Sequence, residues 1–157
     1  MNASLTGVEV RRMTQADLDQ VIEIEQSLPG APHWPRSAYL TAMDPQAQLA
    51  RVALVAEETA SGAIAGFAVA SLIPPQAELE TIAVAPKFQG RGLARQLFSS
   101  LIRQLQVTGA SEMILEVRAT NHPAIGLYRS LGFAESCRRP SYYVDPVEDA
   151  VLMRVQF

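Results

Sequence analysis

The chain has 157 residues, a net charge of −3, and 48% hydrophobic against 18% charged residues, the make-up of one self-sufficient globular domain over 1–157. That balance speaks against a nucleic-acid or membrane-surface binder, which would carry a basic face. A single cysteine excludes an internal disulfide, two distant histidines speak against a metal site, and the lack of a signal-like or membrane-spanning apolar run points to the cytoplasm.

In chain order, Val8-Glu9-Val10 opens a strand, and Thr14 is placed to cap a helix reaching about Gln26, with Leu18, Val21 and Ile22 at apolar positions. Pro29 and Gly30 break that helix, a proline-rich connection covers 30–36, and a short helix is expected at 37–42. Two strands follow near 50–56 and 64–72, with Ser61-Gly62 in the turn between them. Residues 77–85 form a third strand that stops at Pro86. Leu93, Leu97, Phe98, Leu101, Ile102 and Leu105 then recur at helical spacing until Gly109. A strand at 113–117, a helix at 121–131 capped by Asn121 and closed by Gly132, and strands near 133–138 and 150–155 complete the chain. Early and late hairpins with helical crossovers between them predict an α/β protein with a mixed sheet flanked by helices.

The run Gln89-Gly90-Arg91-Gly92-Leu93-Ala94 joins the third strand to its helix. Two glycines allow a sharp turn and a close backbone approach to a ligand. The first amides of the helix are unpaired and its dipole favours an anion. Arg91 and Arg95 place positive charge where the dipole disfavours it, a conflict that a bound phosphate resolves. The run lacks the Lys-Ser/Thr of a P-loop and the three glycines of a dinucleotide fingerprint. A plain glycine-rich turn into a core helix is the competing reading.

Gln-x-x-Gly-x-Ala after a strand resembles the acetyl-CoA loop of the GNAT acetyltransferases, Arg/Gln-x-x-Gly-x-Gly/Ala, with Ala94 at a position where many relatives have glycine. From residue 77 onward the chain is similar to the RimI-type ribosomal-protein-alanine N-acetyltransferases. The matching blocks are Thr81-Ile82-Ala83-Val84-Ala85-Pro86, Leu115-Glu116-Val117-Arg118, Asn121 with Ala124 and Leu127-Tyr128, Gly132-Phe133, Arg139 with Tyr142-Tyr143, and Glu148-Asp149-Ala150. The N-terminal half matches more loosely, through residues 14–18, Ile24-Glu25 and Trp34-Pro35.

The resemblance implies the GNAT fold and acetyl-CoA as acetyl donor, without a metal. It assigns the backbone of Ile82, Ala83 and Val84 to the pantetheine amides. It gives the pyrophosphate to the loop from Gln89 through Gly90, Arg91, Gly92, Leu93 and Ala94 to Arg95, and a further pantetheine contact to Asn121, whose bland role is a helix cap. Glu116 is implied as the base that takes the ammonium proton, with Glu78 as its competitor, and Tyr128 as the acid that protonates the departing sulfur. Acceptor contacts fall on Tyr142 and Tyr143, expected in a loop before the last strand, and on the Trp34 loop across the cleft. Structural alternatives stand beside these roles: Tyr128 as a packing residue, Glu116 paired with Arg118, and the tyrosine pair as a local anchor. His33 and His122 are expected to be structural and Cys137 a buried strand residue. The implied reaction moves acetyl to a protein N-terminal amine, the alanine of a small-subunit ribosomal protein, by direct transfer in a ternary complex. The rival readings are a small-amine acetyltransferase and a non-catalytic acyl-CoA sensor.

Overall fold

The structure is a computed structural model that describes residues 7–29 and 33–157; the expected break at Gly30 lies outside them. Strand β1 (Val8–Arg12) leads through a 3-10 turn (Gln15–Asp17) into helix α1 (Leu18–Ser27), and helix α2 (Arg36–Met43) follows. Strands β2 (Ala50–Glu58), β3 (Ile64–Ile73) and β4 (Gln76–Val84) form a meander. Helix α3 (Leu93–Val107), strand β5 (Glu112–Arg118) and helix α4 (His122–Ser130) come next, and the hairpin β6 (Ala134–Tyr143) and β7 (Glu148–Gln156) ends the chain. The helix expected from Thr14 is thus preceded by a tighter turn. There the Asp17 carboxylate accepts from the Thr14 amide at 2.8 Å and from the Arg11 guanidinium at 2.8 and 2.9 Å.

The seven strands form one mixed sheet in the order β1-β2-β3-β4-β5-β7-β6, in which only β4 and β5 run parallel. Strand β3 lies in its interior, between β2 and β4, and is buried from Ile64 to Leu72. Successive residues there face opposite sides. A Cβ on Gly66 would meet Leu97 of α3 at 3.2 Å, whereas the Phe67 ring stands 6.0 Å from Tyr39 of α2. Helix α3 therefore covers one face and α2 the other. Leu93, Leu97, Leu101 and Leu105 of α3 are all buried, which is why their helical spacing stands out in the sequence.

Strand β6 differs from expectation. It runs on to Tyr143, through Pro140, because it is the outer strand, and an edge tolerates a residue without an amide hydrogen. Tyr142 and Tyr143 therefore end a strand and do not lie in a loop. Cys137 is exposed, not buried, because β6 is exposed from Ala134 to Tyr142.

Candidate active site

Parallel pairing between β4 and β5 lasts for only three residues, Gln76↔Glu112, Ala77↔Met113 and Glu78↔Ile114. Beyond that point β4 stays with β3 up to Val84 and β5 stays with β7 up to Arg118, so the sheet forks. The cause is a bulge. The β3–β4 register slips between Val69↔Thr81 and Ala70↔Leu79, leaving Glu80 as an extra residue that bends β4 away from β5. The fork opens a cleft of about 1020 Å³.

One arm of the cleft carries Ile82, Ala83 and Val84 on the edge of β4 that no strand covers. The loop continues that wall through Gln89, Gly90, Gly92, Leu93, Ala94 and Arg95. Gly90 and Gly92 have φ of 81° and 78°, and nothing lies within 4 Å of a Cβ built on either. Backbone conformation, not crowding, selects glycine here. The helical ladder of α3 starts with the Gln96 amide donating to the Gly92 carbonyl at 3.1 Å, so the amides of Leu93, Ala94 and Arg95 belong to the unladdered first turn. The Gln89 side chain braces the loop by donating to the Val84 carbonyl at 3.0 Å, and the Arg95 guanidinium donates to the Ser130 carbonyl at 2.7 Å. Arg91 is not among the lining residues; its guanidinium stands over Phe88, 5.3 Å from the ring centre. Asn121 lines the cleft and also caps α4, accepting from the Ala124 amide at 3.3 Å.

Glu116 and Tyr128 both line the other arm. The Glu116 Oε1 lies 4.0 Å from Arg139, while its Oε2 is buried with no hydrogen-bond partner among the described residues. A buried carboxylate oxygen left unpaired costs free energy and marks a place where a polar group belongs. Tyr128 packs edge-on against Phe133 at 5.9 Å, and burial, reinforced by Tyr143, raises its hydroxyl above the ordinary tyrosine range. Glu78 is exposed on β4 and is not among the lining residues; burial of part of its side chain, then Glu80 and Glu116, push its carboxyl upward. Tyr143 lines the cleft, and Tyr142, outside the lining, meets its ring edge-to-face with centres 5.1 Å apart. Trp34 packs on Tyr39 at 5.2 Å; Leu28 and Pro29 provide the lining on that side.

Residues 18–133 match the profile of the Acetyltransferase (GNAT) family. The chain belongs to the GNAT acetyltransferase family. It is 34% identical over 152 residues to a Bacillus subtilis protein provisionally named a [ribosomal protein bS18]-alanine N-acetyltransferase, covering 96% of each chain. It is 44% identical over 97 residues to the Escherichia coli [ribosomal protein bS18]-alanine N-acetyltransferase, a match covering 60% of this chain and 66% of the relative. The crystal structure of the ribosomal-protein-S18-alanine N-acetyltransferase from Escherichia coli superposes with a TM-score of 0.78 at 32% identity, over 95% of this chain and 93% of that one. As a GNAT member, this chain is an acetyl-CoA-dependent N-acetyltransferase. The forked sheet, glycine turn and open helix start fit the donor's amide-rich arm and its phosphates.

Within this GNAT site the alternative Glu116–Arg118 pairing does not form, and three features lie beyond what the sequence patterns show. Arg118 pairs with Glu148 at 3.2 Å, not with Glu116. The Arg51–Glu80 ion pair (2.8 Å) holds the bulge residue inside the cleft wall. Pro29 had signalled only the end of a helix, yet it lines the cleft together with Leu28. The buried Glu25 carboxylate accepts from the Tyr39 hydroxyl beneath the α1–α2 connection. A glutamate at helical spacing with Leu18, Val21 and Ile22 was the one signal available in the sequence for that bond.

Proposed function

We propose that this chain acetylates the α-amine at the N-terminus of a protein, the alanine of a small-subunit ribosomal protein, acting in the cytoplasm as one catalytic unit over 1–157. Relatives named for acetylating bS18 alanine support the choice of acceptor. The observation that carries the chemistry is the unpaired, buried Oε2 of Glu116 in the same cleft as Tyr128.

An ammonium group cannot attack a carbonyl, so the acceptor must first lose a proton. Glu116 takes it: its free oxygen has no competing donor among the described residues, and its other oxygen is near Arg139. Glu78, outside the lining but coupled electrostatically to Glu116, adds negative charge that attracts the cationic acceptor. Acetyl-CoA, when bound, supplies the activated acetyl group and departs as the thiol. The Tyr128 hydroxyl stays protonated at neutral pH and donates its proton to the leaving sulfur, and the proton that the nitrogen sheds on becoming an amide restores the hydroxyl. Ile82, Ala83, Val84 and Asn121 hold the pantetheine arm. The turn from Gln89 to Arg95 holds the pyrophosphate through its amides, and Arg91 adds charge from outside the lining. Tyr143, backed by Tyr142, contacts the acceptor. Trp34 acts at one remove, by supporting α2 through Tyr39.

Glu116→Gln and Tyr128→Phe test this assignment. Each should lower kcat by about 10²–10⁴-fold, the usual worth of a positioned acid or base, while calorimetric affinity for acetyl-CoA stays close to that of the parent. Full turnover in both variants would refute it.

A further inference from the structure

We propose that Arg118 is a positioning residue of the acceptor site, clasping the β6–β7 turn so that Tyr143 is held over the Glu116 end of the cleft. The inference rests on the functional reading above.

Arg118 is the last residue of β5, and alternation sets it on the same face as Glu116. Both residues line the cleft together with Tyr143. From that position the guanidinium reaches the opposite hairpin at several points. Its Nη1 donates to the Pro146 carbonyl at 3.3 Å and to Glu148 Oε1 at 3.2 Å, and its Nη2 donates to the Val144 carbonyl at 3.4 Å. Its central carbon lies 4.4 Å from the centre of the Tyr143 ring. The clasp is anchored behind: Glu148 Oε2 accepts from the Thr120 amide at 2.7 Å and from the Thr120 hydroxyl.

Beyond the Tyr143↔Glu148 pair that closes the hairpin and the Ser141 amide donating to Asp149 at 3.0 Å, the turn has little apolar packing to hold it. Val144 and Val147 are each 69% exposed, so apolar burial does not fix this segment. Its placement depends on a polar fork that can meet two carbonyls, a carboxylate and a ring face at once. Only a planar guanidinium does this; an ammonium carries the same charge without the geometry. The clasp spans the acceptor wall, while the β4 edge and the glycine turn lie on the other arm of the cleft. Its loss should therefore loosen Tyr143 and weaken acceptor binding without loosening acetyl-CoA.

The test compares Arg118→Gln, Arg118→Lys and Glu148→Gln with the parent. The readouts are kinetics on an N-terminal-alanine peptide, calorimetry with acetyl-CoA, and amide hydrogen exchange across 141–148 and α3. Arg118→Gln should raise the acceptor KM about tenfold, the loss of one charge-assisted bond's worth of free energy. Acetyl-CoA affinity should stay within about twofold, exchange should quicken in 141–148 but not in α3, and Arg118→Lys should recover only a minor part. Unchanged exchange in 141–148 overturns the proposal. So does an equal loss of acceptor and acetyl-CoA affinity, or full rescue by lysine. If the parent acetylates no peptide N-terminus, the functional reading falls, and the exchange comparison alone then decides whether the clasp exists.

Discussion

At the scale of single residues, two glutamates on neighbouring strands are placed for opposite uses. Among the described residues Glu116 keeps one buried oxygen without a partner, whereas Glu148 has its oxygens taken by Thr120 and Arg118. The Thr120 hydroxyl and amide, then Arg118, hold the Glu148 carboxyl below the ordinary glutamate value of 4.5. A carboxyl depressed by folding stabilises the protein fully above its unfolded value, and that contribution fades as pH falls through the folded value. Glu148→Gln should therefore be less stable than the parent at pH 7, and the gap should narrow below about pH 4.5. Urea midpoints at several pH values check this, and a gap that widens in acid would contradict it. Motif position in the sequence put forward Glu116 and Tyr128, which the fold brings into one cleft, and offered Arg118 only as an alternative partner for Glu116. Same-face spacing suggested a neighbour two residues away, and the long side chain instead reaches a residue 30 positions along.

At the scale of elements, the fork depends on one extra residue in β4, and no local pattern announces it. Alternation in 76–84 is unbroken in burial, so the bulge at Glu80 shows only in pairing with β3. The glycine turn was legible because its residues answer to local backbone rules. Two glycines with different duties give a test. A Cβ at Gly66 would lie 2.7 Å from the Ala83 carbonyl oxygen, so Gly66→Ala must push β3 and β4 apart and cost about 1–3 kcal/mol of stability. Gly92 has open space but a φ of 78°, so Gly92→Ala should cost about 1–2 kcal/mol in strain. Gly92→Ala distorts the helix start that holds the pyrophosphate, while Gly66→Ala presses on Ala83 and Val84 of the pantetheine wall, so acetyl-CoA affinity should fall in both. Thermal unfolding and calorimetry on both variants read these effects, and unchanged acetyl-CoA affinity in Gly92→Ala would contradict the cradle.

For the whole molecule, element order and sheet type followed from hydrophobic periodicity, because α3 and the strands bury regular faces. What periodicity could not supply was the non-local placement that makes the cleft: Leu28 and Pro29 on one rim, Tyr143 on the other, and Trp34 turned to support Tyr39. Strand β6 was cut short because Pro140 reads as a breaker unless its place at the sheet edge is known. The account's central claim is transfer of acetyl to the α-amine of a ribosomal protein. The measurement that tests it most directly is mass spectrometry of unacetylated small-subunit ribosomal proteins incubated with the enzyme and acetyl-CoA, with fragmentation to locate the added group. The account predicts one acetyl group, on the N-terminal alanine of a single small-subunit protein, absent with Glu116→Gln. Acetyl groups only on lysine side chains, or turnover confined to small amines added as competitors, would contradict it.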